Sequence, residues 1–121
     1  MDITMDQHDG IGLVNLSGML TSDTSESVRA RVQSWYEQQD CPNVVFDLSR
    51  LDFMDSTGLG VLMAILKMIN EKSGQMRIAS MQKKPSTLLS ITRAYRVLDI
   101  YDTVDAALAS FQNQADETKA E

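Results

Sequence analysis

Apolar and polar residues alternate in the first part of the chain. Residues 2–8 alternate loosely, and the run 11–16 does so again after Asp9 and Gly10. An Asp-Gly pair between two such runs is a strong hairpin signal, because these residues readily adopt the positive φ angles of a tight turn. The pattern therefore predicts an antiparallel strand pair that ends at Ser17 and Gly18.

Beyond this hairpin, apolar residues recur at the spacings of helices and buried strands. A first helix is predicted from N-cap candidates at 22–25 and stops before Pro42, since proline disfavours helical backbone in the residue before it. The run 44–48, which is apolar except for Asp47, is typical of a strand buried on both faces. A second helix is predicted from the corner at 55–60 to 72–73, with Gly74 as its C-cap, and a strand follows at 76–81. A third helix is predicted to begin at Pro85, and its apolar face would comprise Leu88, Leu89, Ile91, Thr92 and Tyr95. The last predicted elements are a strand at 97–101 and a helix capped by Thr103.

This order of elements predicts an α/β fold in a single domain. After the hairpin, strands and helices alternate, which favours parallel strands joined by right-handed crossovers. We expect a mixed sheet that opens with the antiparallel hairpin, continues with parallel strands and has helices packed over it. The domain is predicted to span 1–112, and the polar segment 113–121 to be a frayed tail.

Charge and composition narrow the function. The net charge of −6 and the pI near 4.6 argue against nucleic-acid and anionic-membrane surfaces, which need clustered lysine and arginine. The single cysteine, Cys41, fits a reducing compartment. No signal-peptide pattern and no apolar run of about 20 residues occurs. We therefore expect a cytoplasmic protein, without a cofactor, that is a monomer or weak dimer when free.

The corner at 55–60, with the sequence Asp-Ser-Thr-Gly-Leu-Gly, concentrates the candidate chemistry. It joins a buried strand to a helix, whose first backbone N–H groups have no partners and, with the helix dipole, stabilise anions. Three roles for Ser56 stay open on this pattern: an N-cap, a role for which Thr57 is the other candidate, an anion-binding or phosphoacceptor residue, and a catalytic nucleophile. Gly58 and Gly60 are expected to keep the surface low around Ser56.

The catalytic alternatives have little support. A nucleophile elbow needs glycine two residues before the serine, where this chain has Met54, and the single histidine, His8, is predicted on the hairpin. No phosphate-binding loop and no His/Cys cluster with metal-ligand spacing occurs. Asp47, Asp52 and Asp55 are separated by a segment that is poor in ligands, so no metal site is predicted. Among the eight methionines, Met19 and Met54 border the corner and are candidates for a partner-binding surface.

Two segments resemble the signature of STAS domains of the anti-sigma factor antagonist type. They are Phe-Asp-Leu-Ser at 46–49 and Phe-Met-Asp-Ser-Thr-Gly-Leu-Gly at 53–60, and the resemblance extends over nearly the whole chain. It implies a partner-switching protein that is not an enzyme. The unphosphorylated form would bind an anti-sigma factor that is also a serine kinase of the histidine-kinase-like ATPase fold. Phosphorylation would break the complex, and a PP2C-type phosphatase would restore it.

The same resemblance implies roles for individual residues. Ser56 would be the phosphoacceptor. The partner-binding residues would be Asp55, Thr57, Gly58, Leu59 and Met54 in the corner, with Thr21, Ser22 and Asp23 in the loop beside it. Many relatives carry an acidic residue directly after the Gly-x-Leu of that loop, whereas this chain has Thr21 there and its acid at Asp23.

Two other functions share the predicted fold. The same switch could control a secretion, motility or cyclic-dinucleotide pathway without a sigma factor. Alternatively, the domain could be an accessory subunit of a lipid or anion transporter, for which a retained phosphoacceptor serine is not expected.

Overall fold

The computed structural model describes residues 1–111, which form a five-stranded sheet covered by helices. The predicted tail at 113–121 lies outside the described residues. The elements are β1 (Asp2–His8), β2 (Ile11–Leu20), α1 (Ser25–Gln38), β3 (Val44–Met54), α2 (Ser56–Glu71), β4 (Met76–Ala79), α3 (Lys83–Thr92), a 3-10 turn (Ala94–Arg96), β5 (Asp99–Tyr101) and α4 (helical over 104–111). No helix within this part of the chain is long and apolar enough to cross a membrane.

The sheet has the strand order β1-β2-β3-β4-β5 and confirms the predicted mixed topology. The first pair is antiparallel and each later pair is parallel. Asp9 and Gly10 both have positive φ, 52° and 81°, as a two-residue hairpin turn requires. Because β2, β3, β4 and β5 run in one direction, their carboxyl ends lie at one edge of the sheet.

Alternate residues of the central strand β3 face two different cores. Val44 and Phe46 pack into the larger core with side chains of α1, α2 and α3. Val45 points to the opposite face, into a smaller core under α4 that includes Ala107 and Phe111. Residues 44–46 are all fully buried, which is why this part of the strand is apolar without interruption.

Arg77 of β4 holds α4 against the sheet. This buried side chain lies 4.0 Å from the ring centroid of Phe111 and donates a 2.7 Å hydrogen bond from Nη1 to Oε1 of Gln75. Its Nε also donates to the hydroxyl of Tyr101 at 3.4 Å. Stacking of a guanidinium on an aromatic face lets the charge be buried without losing its polar partners. The predicted cap of α4 is confirmed, since Thr103 Oγ1 accepts a hydrogen bond from Ala106 N at 3.0 Å.

Both strands that lead to the corner are longer than predicted. β2 continues past Gly18 to Leu20, and β3 continues past Leu48 to Met54. Parallel pairing carries on through two register shifts, one between Asn15 and Ser17 and one between Gly18 and Met19. The polar residues at 49, 50 and 52 break the apolar pattern of β3 but not its backbone pairing with β2.

The ends of other elements also differ from the predictions. β4 stops at Ala79 rather than 81, and α3 begins at Lys83, which makes Pro85 its third residue rather than its first. Proline is tolerated there because the first four N–H groups of a helix lack intrahelical partners. Lys72, rather than Gly74, is the C-cap of α2. A side chain at Gly74 would place Cβ 2.0 Å from the carbonyl oxygen of Pro42, so close packing explains this glycine.

The predicted apolar face of the third helix is only partly buried. Leu89 is buried, but Ile91, Tyr95 and Val97 are 74%, 50% and 56% exposed. Arg93 adopts a left-handed conformation with φ 60° and ends α3 after ten residues. The following 3-10 turn changes the direction of the chain, so the helical spacing that grouped Tyr95 with Leu89 no longer applies.

The buried phenol of Tyr36 provides a test of the packing between α1 and β3. Its hydroxyl donates a 2.8 Å hydrogen bond to the carbonyl of Pro42, and burial raises the pKa of Tyr36 above its usual value. In the unfolded chain, a tyrosine has a pKa of about 10. Because the pKa of Tyr36 is higher in the folded protein, its contribution to stability is fully present below about pH 10 and is lost as the pH rises through the folded pKa. We expect Tyr36→Phe to lower the free energy of unfolding by about 1 kcal/mol at pH 7.

Above pH 10, the difference between Tyr36→Phe and the parent should shrink, as measured by urea unfolding across the pH range. Tyr95→Phe is the matched control, because the ring of Tyr95 is half exposed. A difference between Tyr36→Phe and the parent that is constant with pH would contradict this assignment.

Candidate functional site

The site lies where β2 and β3 end side by side. Leu20 and Met54 are paired in the parallel ladder, and both are buried. The chain then turns from Leu20 into the loop 21–24 and from Met54 into α2. A hydrogen bond of 3.1 Å from Asp55 N to Leu20 O ties the two exits together. The loop and the start of α2 therefore form one corner at the carboxyl edge of the sheet.

Asp55 is the N-cap of α2. Its Oδ1 accepts a 2.8 Å hydrogen bond from Gly58 N, and its backbone is extended, with φ −99° and ψ −177°. Its Oδ2 accepts a second hydrogen bond, of 3.1 Å, from Ser22 N. One half-buried carboxylate thus caps the helix and fixes the loop that follows β2.

Ser56 is the first residue of α2, and its side chain is exposed. Within residues 1–111, its hydroxyl makes no hydrogen bond, because Asp55 already occupies the capping position. Thr57 is likewise exposed and makes no side-chain hydrogen bond to a described residue. Of the three roles left open for Ser56, the N-cap role belongs to Asp55. The hydroxyl of Ser56 is therefore available to another molecule.

The loop beside Ser56 is held by its own hydrogen bonds. The hydroxyl of Thr24 accepts from Thr21 N at 3.0 Å and donates to Met19 O at 2.8 Å. Ser25 N donates to Thr21 O at 2.8 Å. Thr24 takes the N-cap position of α1, although its side chain does not cap that helix. Ser22 and Asp23 are exposed at the tip of this braced loop.

Gly58 has a different role from the one expected. It is buried, and a Cβ there would lie 2.2 Å from the carbonyl oxygen of Leu20. The close approach of α2 to the end of β2 therefore requires glycine at this position. Gly60 is exposed, and a Cβ there would meet nothing within 4 Å. The expectation that both glycines lower the surface around Ser56 is wrong for Gly58, which acts inside the corner.

The predicted partner-binding residues divide into exposed and buried groups. Met54 and Leu59 are buried at 2% and 8% exposure, so they support the corner from beneath instead of presenting a free surface. Thr57, Ser22 and Asp23 are exposed, whereas Thr21 and Asp55 are half-buried. Part of the predicted binding surface therefore consists of residues that the fold buries.

Two apolar side chains next to the corner are exposed. Met19 and Phe53 are paired across β2 and β3 and are 53% and 38% exposed. The sequence indicates Met19 as a residue that borders the corner, but Phe53 is not among the predicted partner-binding residues. Strand alternation could have found it, since Phe53 precedes the buried Met54 and must point to the other face of β3.

The single histidine of the sequence, His8, lies far from Ser56. His8 pairs with Ile11 at the opposite end of β2, about 30 Å from Leu20 along a strand that rises about 3.3 Å per residue. The three aspartates of interest have separate partners: Asp47 accepts from Ser49 N, Asp52 from Gln82 Nε2, and Asp55 as described. Within the described chain, no group of His, Cys, Asp or Glu is placed to hold a metal ion.

The corner can present a hydroxyl and tolerate an anion attached to it. The backbone N–H groups at the start of the 16-residue helix α2 point toward this end, as does the positive end of its dipole. A phosphate on Ser56 would therefore be compatible with the fold of its own domain.

Comparison with known proteins assigns the family. Residues 2–107 match the family model described as "STAS domain". The chain belongs to the STAS domain family. This STAS domain is 34% identical over 112 residues to an anti-sigma F factor antagonist of Paenibacillus polymyxa, an alignment that covers 93% of this chain and 96% of the relative.

Solved structures agree on the fold. An anti-sigma factor antagonist from Mycobacterium paratuberculosis superposes with a TM-score of 0.81 at 23% identity, over 90% of this STAS domain and 92% of that chain. The phosphorylated form of the Bacillus cell fate determinant SpoIIAA superposes with a TM-score of 0.69 at 16% identity, over 91% and 99% of the two chains. At these identities, the superpositions establish the fold alone.

The two glycines of the corner form a matched pair for testing its packing. Gly58→Ala should lower the free energy of unfolding by about 1–3 kcal/mol or more, because the new Cβ collides with main-chain atoms of Leu20 that cannot rotate away. Gly60→Ala should raise it by about 0.5–1 kcal/mol, since alanine favours the helix and meets open space. Urea unfolding monitored by circular dichroism measures both. Equal effects of the two substitutions would show that the contact between Gly58 and Leu20 is not tight.

Proposed function

We propose that this STAS domain is an anti-sigma factor antagonist that works as a phosphorylation-controlled binding protein, not as an enzyme. In its unphosphorylated form it binds an anti-sigma factor that is also a serine kinase of the histidine-kinase-like ATPase fold. Transfer of a phosphate from ATP to Ser56 Oγ breaks the complex, and a PP2C-type phosphatase hydrolyses the phosphate to restore binding. The 34% identity to a relative named an anti-sigma F factor antagonist supports this client class.

The observation that carries the proposal is the free hydroxyl of Ser56. It is exposed at the first position of α2 and has no hydrogen-bond partner among the described residues, while Asp55 does the capping. A serine that served the fold would be expected to use its hydroxyl for the cap. The available hydroxyl, at the end of a helix that favours an attached anion, fits a residue that receives a phosphate.

The surface around Ser56 fits a protein partner. Exposed apolar side chains of Met19 and Phe53 lie beside exposed polar residues of the loop at 22–23. Such a combination provides an apolar contact area with a polar rim, which is the usual composition of a protein–protein interface. We assign the contact with the anti-sigma factor to this surface, with Ser56 and Thr57 in it and with Asp55, Gly58 and Leu59 holding its shape.

Electrostatics explains how one phosphate could release the partner. Phosphorylation adds about −1.5 to −2 charges. Asp55 is one residue away, and hydrogen bonds from Gly58 N and Ser22 N hold its carboxylate, which has the same sign of charge as the phosphate, in place beside it. Within an interface, the phosphate would lose its hydration and repel this carboxylate and that of Asp23. Reversal of a binding equilibrium from 99:1 to 1:99 needs about 5.5 kcal/mol.

Intact mass spectrometry tests the acceptor directly. After incubation with ATP and the cognate kinase, the protein should gain the mass of one phosphate. Ser56→Ala should abolish the gain, whereas Thr57→Ala, which removes the neighbouring exposed hydroxyl, should retain it. Loss of the phosphate in Thr57→Ala but not in Ser56→Ala would assign the acceptor to Thr57 and contradict the proposal.

A charge mimic tests the release step. Ser56→Asp should weaken binding of the anti-sigma factor by at least about tenfold, equivalent to 1.4 kcal/mol. It should change the free energy of unfolding by less than about 1 kcal/mol, because the new charge is at an exposed helix N-terminus. Calorimetric titration and urea unfolding give the two values.

Ser90→Asp is the control for Ser56→Asp, since Ser90 is exposed on α3 and the substitution adds the same charge. It should bind the anti-sigma factor as the parent does. If both variants bound like the parent, a charge at Ser56 would not control release. If both bound equally weakly, the effect would come from net charge and not from the position of Ser56.

A further inference from the structure

Charge is distributed very unevenly along this acidic chain. Residues 61–98 contain seven basic side chains and one acidic side chain, Glu71, while the rest of the sequence contains four basic and sixteen acidic side chains. The segment comprises most of α2, β4, α3 and the 3-10 turn. The net charge of −6 therefore conceals a locally basic part of the molecule.

A groove of about 620 Å³ runs along the second half of α2 within this segment. It is lined by Met63, Leu66, Lys67, Asn70 and Glu71 of α2 and by Val97, which follows the 3-10 turn. Val97 is 56% exposed, and Met63 and Leu66 are half-buried, so the floor and one wall are apolar. We call this feature the α2 groove.

The exposed apolar residues of the predicted third helix face belong to the same region. Tyr95 and Ile91, which are 50% and 74% exposed, precede Val97 in the connection from α3 to β5. Three apolar side chains are therefore exposed within the seven residues 91–97, and one of them, Val97, lines the groove. No packing contact among residues 1–111 buries these three side chains.

Basic side chains accompany these apolar residues. Lys67 lines the groove, and the exposed Arg93 and Arg96 occur in the connection that leads to Val97. Across residues 1–111, none of these three side chains forms an ion pair. Beside its apolar side chains, the α2 groove therefore has Lys67 and one carboxylate, Glu71, and the two arginines shortly before Val97 in the sequence make the net charge of this set positive.

We infer that the α2 groove is a second docking surface, which takes an acidic amphipathic helix of a partner protein. The apolar face of such a helix would cover Met63, Leu66 and Val97, and its carboxylates would pair with Lys67 and Arg96. Helix-in-groove docking uses this arrangement of apolar anchors in a concave surface with charged side chains at its edge. The acidic remainder of the domain would be repelled by anionic lipids, which favours a protein partner over a lipid surface.

The groove is separate from the corner at Ser56. Leu66 and Asn70 are ten and fourteen residues along α2 from Ser56, which corresponds to about 15 and 21 Å at 1.5 Å per residue. Val97 comes just before β5, at the edge of the sheet where the parallel strands begin, whereas Ser56 lies at the edge where they end. A partner in the groove could thus bind whether or not Ser56 is phosphorylated.

Three synthetic peptides of eighteen residues can serve as probes. They share one apolar face of leucine and phenylalanine at helical spacing, and their polar faces carry glutamate, glutamine or lysine. Binding to the full chain is measured by fluorescence anisotropy, and the contact site by amide chemical-shift changes. We expect the glutamate peptide to bind at least about tenfold more tightly than the lysine peptide, more weakly at higher salt, and with shifts at 63–71 and 93–98.

Matched variants locate the binding. The double variant Lys67→Glu/Arg96→Glu should weaken binding of the glutamate peptide at least about tenfold, and Val97→Ser should weaken binding of the glutamate and glutamine peptides alike. The control Arg50→Glu/Lys84→Glu reverses two exposed charges away from the groove and should have no such effect. Thermal unfolding of each variant verifies that it folds.

Several results would overturn the inference. They are equal binding of the glutamate and lysine peptides, shifts confined to the Ser56 corner, and loss of binding in the control variant as large as in the groove variant. If the protein bound vesicles with 30% phosphatidylserine and did not bind the glutamate peptide, the groove would be assigned to membranes. Concentration-dependent sedimentation that Val97→Ser abolishes would assign it to a second copy of the chain.

Discussion

The carboxylate of Asp55 joins the parts of the molecule on which the functional corner depends. One oxygen accepts from Gly58 N and caps α2, and the other accepts from Ser22 N in the loop after β2. Because one rigid group satisfies both donors, the helix and the loop have a fixed relative position. The fold achieves this without using the side chain of Ser56, and that division of roles is what leaves a free hydroxyl at the helix start.

Close packing beneath Asp55 is equally important. Gly58 brings the first turn of α2 against the carbonyl of Leu20, and Asp55 N donates to that same carbonyl. The pairing of β2 with β3 must therefore continue to Leu20 and Met54 for the cap to form. The long strands, the buried glycine and the capping aspartate are consequently parts of one arrangement, and each requires the others.

The proposed functions use opposite edges of the sheet. The Ser56 corner is at the carboxyl edge and is surrounded by acidic and small polar residues, whereas the α2 groove is nearer the other edge and has basic and apolar residues. The parallel strands produce this separation, because all of their amino ends lie at one edge of the sheet and all of their carboxyl ends lie at the other. A charge added at Ser56 would act locally, because charges more than about 8–10 Å apart in water are strongly screened at physiological salt.

Much of the fold could be predicted because the signals are local. The Asp9-Gly10 turn, the central strand over 44–48 and the Thr103 cap each depend on neighbouring residues, and all three are confirmed. The errors have a common cause in tertiary contacts. Pairing with β2 extends β3 through polar residues, packing against Pro42 requires Gly74, and a left-handed Arg93 exposes the apolar residues after α3.

For the candidate site, the sequence by itself determined its location, its residue types and its family resemblance. It also placed the single histidine, His8, on the hairpin, away from the corner. The tertiary structure decided which residue caps α2, which glycine is enclosed, and which of Met19, Phe53 and Met54 reach the surface. These points depend on contacts between distant parts of the chain, such as the hydrogen bond from Ser22 N to Asp55 and the packing of Gly58 on Leu20. No local pattern in the sequence encodes such contacts.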